Sequence, residues 1–172
     1  MSGKDKIVIK EYDPSWITLF AEEHDAIMDS IGHYVAEIRH IGSTSVPGLA
    51  AKPVVDILVG LRRLLDAQDC ILPLEGMGYE YHPEYEVEFP DRRYFRKSLN
   101  GRRTHQIHIV EIETDFWKSH IYFRDYLESH PAQALQYSKL KRNLAAEFEN
   151  DRERYTEAKA PFIERILESK DS

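Results

Sequence analysis

The chain is poor in the residues that staple or anchor a fold. Its 172 residues include one cysteine, Cys70. No internal disulfide can form, and nothing points to an oxidising compartment. No neighbour of Cys70 would activate it, so a buried structural thiol is expected. No segment approaches the roughly 18 apolar residues of a membrane span, and residues 1–10 carry charges rather than a signal-peptide core. The cytosol is the expected compartment. Internal repeats, low-complexity tracts and linkers rich in Pro, Gly or Ser are also missing. A chain of roughly 150 residues buries about 70% of its unfolded surface, so one domain over residues 1–172 is expected. Positive charge is short too: 23 Lys and Arg face 30 Asp and Glu, for a net charge of −7. That balance argues against nucleic acid or an acidic membrane as partner. Several spacing fingerprints are lacking: the P-loop, Gly-x-Gly-x-x-Gly, His-Glu-x-x-His and Gly-x-Ser-x-Gly.

What is present is a helix, then strands, then helices. A short strand is expected over residues 7–9. Asp13-Pro14 reads as a helix start, with Asp as N-cap and Pro in the first turn. The helix should run over 14–31, carrying Ile17, Phe20, Ile27, Met28 and Ile31 at helical spacing until Gly32 stops it. Strands are expected over 35–41 and, most apolar of all, 54–60. A helix over 64–77 is weakened by Pro73. Strands over 94–97 and 104–112 flank Asn100-Gly101, a strong hairpin signal. Three helices should follow, opened by Thr114-Asp115, His130-Pro131 and Asn150-Asp151. The second should carry Leu135, Leu140, Leu144 and Phe148 near one face, the third Tyr155, Ala158, Phe162 and Ile166. The expected class is α+β (mixed α/β), with the N-terminal helix and a C-terminal helical segment packed on a mixed sheet.

Residues 40–59, His40-Ile41-Gly42-Ser43-Thr44-Ser45-Val46-Pro47-Gly48-Leu49-Ala50-Ala51-Lys52-Pro53-Val54-Val55-Asp56-Ile57-Leu58-Val59, resemble the signature of the GrpB family. The likeness continues through Arg92-Arg93-Tyr94-Phe95-Arg96-Lys97, Thr104-His105-Gln106-Ile107-His108-Ile109-Val110, Phe123-Arg124-Asp125-Tyr126-Leu127, Lys139-Leu140-Lys141 and residues 151–159. It spans nearly the whole chain. The resemblance implies a nucleotidyltransferase-like fold and a poorly defined activity. Fusion of such a domain to dephospho-coenzyme A kinase in some organisms hints at nucleotide metabolism.

A strand, a Gly-Ser turn and a second strand with an Asp follow the nucleotidyltransferase plan. Gly42 would let the backbone approach a phosphate, Ser43 and Thr44 would offer hydroxyls, and Lys52 would neutralise charge. Asp56 would hold a divalent metal. A second carboxylate two residues on would share its face, and that position is Leu58. On the neighbouring strand Gln106 and His108 share one face, His105, Ile107 and Ile109 the other. His108 is therefore paired with Asp56 as catalytic residue and metal ligand, and His105 is expected to be structural. The expected cation is Mg²⁺, Mn²⁺ or Zn²⁺, with imidazole suiting Zn²⁺, Ni²⁺ or Mn²⁺ better than Mg²⁺. His40 is ambiguous. Arg93 and Arg96 are expected to clamp a substrate phosphate or carboxylate, with Arg102 and Arg103 as solvated edge charges. Tyr155 and Lys159, four apart on a helix, could stack on a base and meet phosphate, while Lys141 is expected to be solvated. The expected ligand is a small nucleotide or phosphometabolite. Three readings stay open: a nucleotide site with transferase chemistry, a non-catalytic binding or regulatory domain, and a His/Asp metal-dependent hydrolase. Oligomeric state is left open.

Overall fold

In the computed structural model, which describes residues 6–171, one mixed sheet organises the chain. Helix α1 (Ser15–Ile31) leads into β1 (Val35–Ile41). The segment 42–54 connects to β2 (Val55–Leu61). A 3₁₀ stretch (Leu64–Cys70) continues as the short helix α2 (Ile71–Gly76). Then come β3 (Tyr79–Tyr81), β4 (Arg92–Leu99) and β5 (Arg102–Glu111), and finally α3 (Asp115–Ser129), α4 (Pro131–Glu147) and α5 (Arg152–Glu168). Strand order is β1-β2-β5-β4-β3. Only β2 and β5 run parallel; the other pairs are antiparallel.

Local chemistry accounts for most boundaries. The Asp13 carboxylate accepts from the Ser15 amide at 2.9 Å, so it caps α1 as expected. Asn100 and Gly101 adopt φ of 53° and 77°, the pair of positive angles that a two-residue hairpin turn needs. Asp151 caps α5 by accepting from Arg154 N at 3.2 Å. The helix expected over 64–77 is split. Pro73 falls in the first turn of α2, where its missing N–H costs nothing, and the preceding turns tighten to 3₁₀. Residues 7–9 form no strand. Instead Lys10 makes a lone bridge to Ala51, while Ile7 N bonds Glu149 O at 2.9 Å and its side chain is buried.

Period-two alternation sends β2 and β5 side chains to two cores. Ile57, Val59, Ile107, Ile109 and Phe95 pack against Ile27 and Ile31 of α1 and Leu74 of α2. Cys70 joins them; burial, then the nearby Asp69 and Asp66, push its thiol up to about 11, as befits an inert core residue. On the other face Leu58, Ile41 and Val110 pack on Trp117 of α3. A Cβ at Gly60 would come within 2.7 Å of the Trp117 ring, so only glycine admits this close approach. The connection 42–54 is held by the tail: Val46 and Leu49 pack with Leu127, Tyr137, Phe162 and Ile166. Two expected helix faces change. In α1 the buried residues are Trp16, Glu23, Ile27 and Ile31, leaving Ile17 and Met28 exposed. In α4 the buried stripe is Tyr137, Ser138, Lys141, Leu144 and Ala145, and Leu135 is exposed. No helix among the described residues is long and apolar enough to cross a membrane.

Candidate functional site

Asp56 is the second residue of β2, on the sheet face covered further along by Trp117. Gly42 stands directly against it. The glycine has φ 73° and ψ −176°, a conformation nearly reserved for glycine, and a Cβ there would lie 2.5 Å from Asp56 Oδ2. The tight turn is therefore fitted to the carboxylate itself. The next residues form a single 3₁₀ turn. Ser45 Oγ donates to Gly42 O at 2.5 Å, and Ser43 hydrogen-bonds the Tyr137 hydroxyl. Thr44 is turned inward: its hydroxyl donates to Val54 O at 3.3 Å and shares a 3.0 Å bond with His40 Nε2. His40 pairs with Ile57 and stacks on Phe20 of α1, so it lies on the face opposite Asp56. Burial, with Arg124 adding to it, drops the imidazole of His40 to about 4, and it is neutral at ordinary pH.

The parallel register Asp56↔Gln106 and Leu58↔His108 brings the expected pair together. His108 Nε2 lies 3.6 Å from Asp56 Oδ1. Arg92 Nη1, which can only donate, faces His108 Nδ1 at 3.4 Å, so Nε2 is the nitrogen that carries hydrogen toward Asp56. The Gln106 amide satisfies all its neighbours in one orientation: its nitrogen donates to Asp56 Oδ1 (3.0 Å) and Tyr94 Oη (3.2 Å), and its oxygen accepts from Arg103 Nη1 (3.0 Å). Arg96 Nε donates to Tyr94 Oη at 3.1 Å and Arg96 Nη2 to Tyr85 Oη at 2.7 Å. A half-buried histidine, His120, has its ring 6.4 Å from that of His108; desolvation, then His108, lower it to about 4.

The helical tail supplies the other side. Lys52 Nζ lies 5.0 Å and Lys159 Nζ 4.6 Å from the centre of the Tyr155 ring. Burial, then Lys159 and Arg152, lower Lys52 to about 7. Burial, with Arg152 opposing the attraction of Asp56, lowers Lys159 to about 8. Among the described residues neither lysine has a carboxylate within ion-pair distance. Tyr155 is fully buried, which leaves its ring no free face for a base; it packs the two ammonium groups instead. Lys141, expected in solvent, is 2% exposed. Its Nζ donates to Ala50 O at 2.5 Å, while Ser138 Oγ accepts from Ala50 N at 3.3 Å, so α4 pins both polar groups of one loop residue. Burial, then Lys159 and Lys52, hold its ammonium well below the usual lysine range.

Of the expected residues, the fold gathers Gly42, Asp56, His108, Arg96, Lys52 and Lys159 about one region, with Ser43 tied in through Tyr137. Arg93 is elsewhere: three residues from Arg96 in a strand means the opposite face, where it meets Glu86 at 3.5 Å and Pro90 O at 2.7 Å. Arg92 and Tyr94, in phase with Arg96, were legible from the same alternation. Arg103 was not. Ser98 pairs with Arg103 and Lys97 with His105, so Thr104 is an extra residue, and this bulge turns Arg103 toward Gln106. Arg102 is exposed, as expected. His105 is on the far face, 4.0 Å from Glu23, which also accepts from Tyr79 Oη and Lys97 Nζ.

One carboxylate, one imidazole and an amide that turns its nitrogen inward do not fit a two-metal phosphoryl-transfer centre, which needs paired carboxylates on one face. Leu58, fully buried in the Trp117 layer, occupies the second position. Among the described residues no three His, Cys, Asp or Glu side chains gather to hold a metal ion.

Residues 6–169 match the family model described as GrpB protein. A curated relative, the glutamate-rich protein GrpB of Alkalihalophilus pseudofirmus, is 36% identical over 96% of both chains. The crystal structure of conserved protein GrpB from Enterococcus faecalis is 36% identical and covers 94% of this chain and 96% of that one, with a TM-score of 0.86. A Cid1 poly(U) polymerase structure is similar in fold alone: 13% identity, TM-score 0.52, over 77% of this chain and 42% of that one. Matched along nearly its whole length by the family model and by these relatives, this chain belongs to the GrpB family and has a nucleotidyltransferase-like fold.

Proposed function

We propose that the region around Asp56 binds the phosphate end of a nucleotide or another phosphorylated small molecule. The observation that carries this reading is the pair Lys52 and Lys159, sequestered beside Tyr155 without a carboxylate partner among the described residues. Partly desolvated ammonium groups that repel one another are costly unless an anion meets them. Arg96 and Arg103 add donors held, among the described residues, by the neutral groups of Tyr85, Tyr94 and Gln106. Guanidinium forks held in this way match phosphate oxygens. Asp56 and His108, the residues of metal-ligand type here, already face each other and Gln106, so the reading does not depend on a divalent cation. Binding is favoured over nucleotidyl transfer because Leu58 stands where the second carboxylate would be.

The test is a thermal-shift panel of nucleoside mono-, di- and triphosphates, coenzyme A precursors and inorganic phosphates. A ligand at 100 times its Kd adds about 2.7 kcal/mol. For a chain of this size that raises Tm by about 5–10 °C. The phosphorylated members should shift the protein and their dephosphorylated counterparts should not. Equal shifts from both, or none from any, would remove this reading.

A further inference from the structure

We infer that ammonium and guanidinium groups bind the ligand's phosphates directly, and that a divalent cation is dispensable for that binding. The inference rests on the reading of the site as a phosphate site and specifies how the charge is met.

Two independent features carry it. The first is how Asp56 is surrounded. A carboxylate that takes a metal must turn an oxygen to the ion. Here Oδ1 already faces two donors, Gln106 N at 3.0 Å and His108 Nε2 at 3.6 Å. Both are fixed from behind, Gln106 because its oxygen accepts from Arg103 and His108 because its other nitrogen faces Arg92. Oδ2 lies against Gly42, where not even a methyl group would fit. The second metal position is closed by packing, since Leu58 belongs to the apolar layer of Ile41, Val110 and Trp117. Asp56 therefore acts as the acceptor that orients Gln106 and, through it, the Arg103 fork.

The second feature is the charge. Lys52, Lys159, Arg96 and Arg103, with Arg92 on His108, gather around Asp56, so positive groups outnumber carboxylates among the described residues of the site. One phosphate group, at roughly −1.5 to −2, would leave part of that charge unmet, and a second would offset more of it. The depressed affinity of both lysines for protons fits this, because an anion would restore their charge. The ligand class is thus a diphosphate or longer phosphate chain, free or as the tail of a nucleotide.

The experiment is calorimetric titration of the full chain with inorganic pyrophosphate and with ADP, once in excess EDTA and once in excess magnesium. Binding should persist in EDTA and be no weaker than in magnesium, because the cation competes with the protein for the same oxygens. Lys159→Gln and Lys52→Gln should each weaken it by about tenfold or more, the loss of one charge-assisted contact. Arg93→Gln, on the opposite face with Glu86, should leave EDTA-phase binding unchanged. Melting curves establish that each variant is folded before titration. Binding seen only with magnesium, or unchanged in both Lys159→Gln and Lys52→Gln, overturns this inference and leaves the phosphate reading standing. No binding of either ligand under either condition overturns both.

Discussion

Gly42 offers the sharpest test of how the turn and the carboxylate are fitted together. Replacing it with alanine does two separable things. The backbone, at φ 73° and ψ −176°, must hold a side chain in a region nearly reserved for glycine, at a cost of order 1–3 kcal/mol. The new Cβ would also sit 2.5 Å from Asp56 Oδ2, 3.1 Å from its Cβ and 3.2 Å from its Cγ. Relieving such crowding in a packed setting costs about 1–3 kcal/mol more. The sum, about 2–6 kcal/mol, is a large share of the roughly 5–15 kcal/mol that holds a domain folded. Urea unfolding followed by tryptophan fluorescence should show it, as should a fall in Tm of about 10 °C, within the roughly 2–4 °C expected per kcal/mol. Asp56→Ala removes the two outer atoms of the clash. In that background Gly42→Ala should cost about 1 kcal/mol less, a coupling typical of side chains in contact. A Gly42→Ala protein within about 0.5 kcal/mol of the parent, the range of an indifferent surface change, would refute the strained turn. Strict additivity would refute the contact with Asp56.

Three further expectations follow from the same geometry. Lys52 and Lys159 titrate near 7 and 8 in the fold against 10.5 when unperturbed. Between about pH 7 and 10.5 the unfolded chain holds more protons, so the ligand-free protein should gain stability as pH rises through that window, while anion affinity falls; unfolding midpoints and titrations at roughly pH 6.5, below the window, and roughly pH 9, within it, would check both signs. Arg96→Gln should weaken pyrophosphate binding about tenfold, whereas Arg93→Gln, on the opposite face with Glu86, should leave it unchanged in the same titration. Gly60→Ala should displace Trp117, shift its fluorescence and cost about 1–3 kcal/mol in urea unfolding.

The sequence by itself settled what depends on neighbouring residues. The Asn100-Gly101 turn, the cap at Asp13 and the start of α5 at Asp151 are decided within a few bonds, and all form as their chemistry predicts. Alternation along β2 and β5 was enough to put His108 with Asp56 and His105 away from it. The same alternation along β4 puts Arg92 and Tyr94, and not Arg93, on the face of Arg96. What only the tertiary structure decided are features set by contacts between distant segments. The bulge at Thr104 reverses the facing of Arg103, and a single extra residue leaves no mark on composition or period. Lys141 reads as a solvent-facing charge until the chain places it 2.5 Å from the carbonyl of Ala50, ninety-one positions earlier. Tyr155 lies on the expected apolar stripe of α5, but only the fold packs it among Ile7, Leu144 and Ala145 and sets the ammonium groups of Lys52 and Lys159 over its ring. Period and propensity act over a turn or two, but the charge and burial of a side chain depend on which remote segment lands beside it, and here that segment is the helical tail.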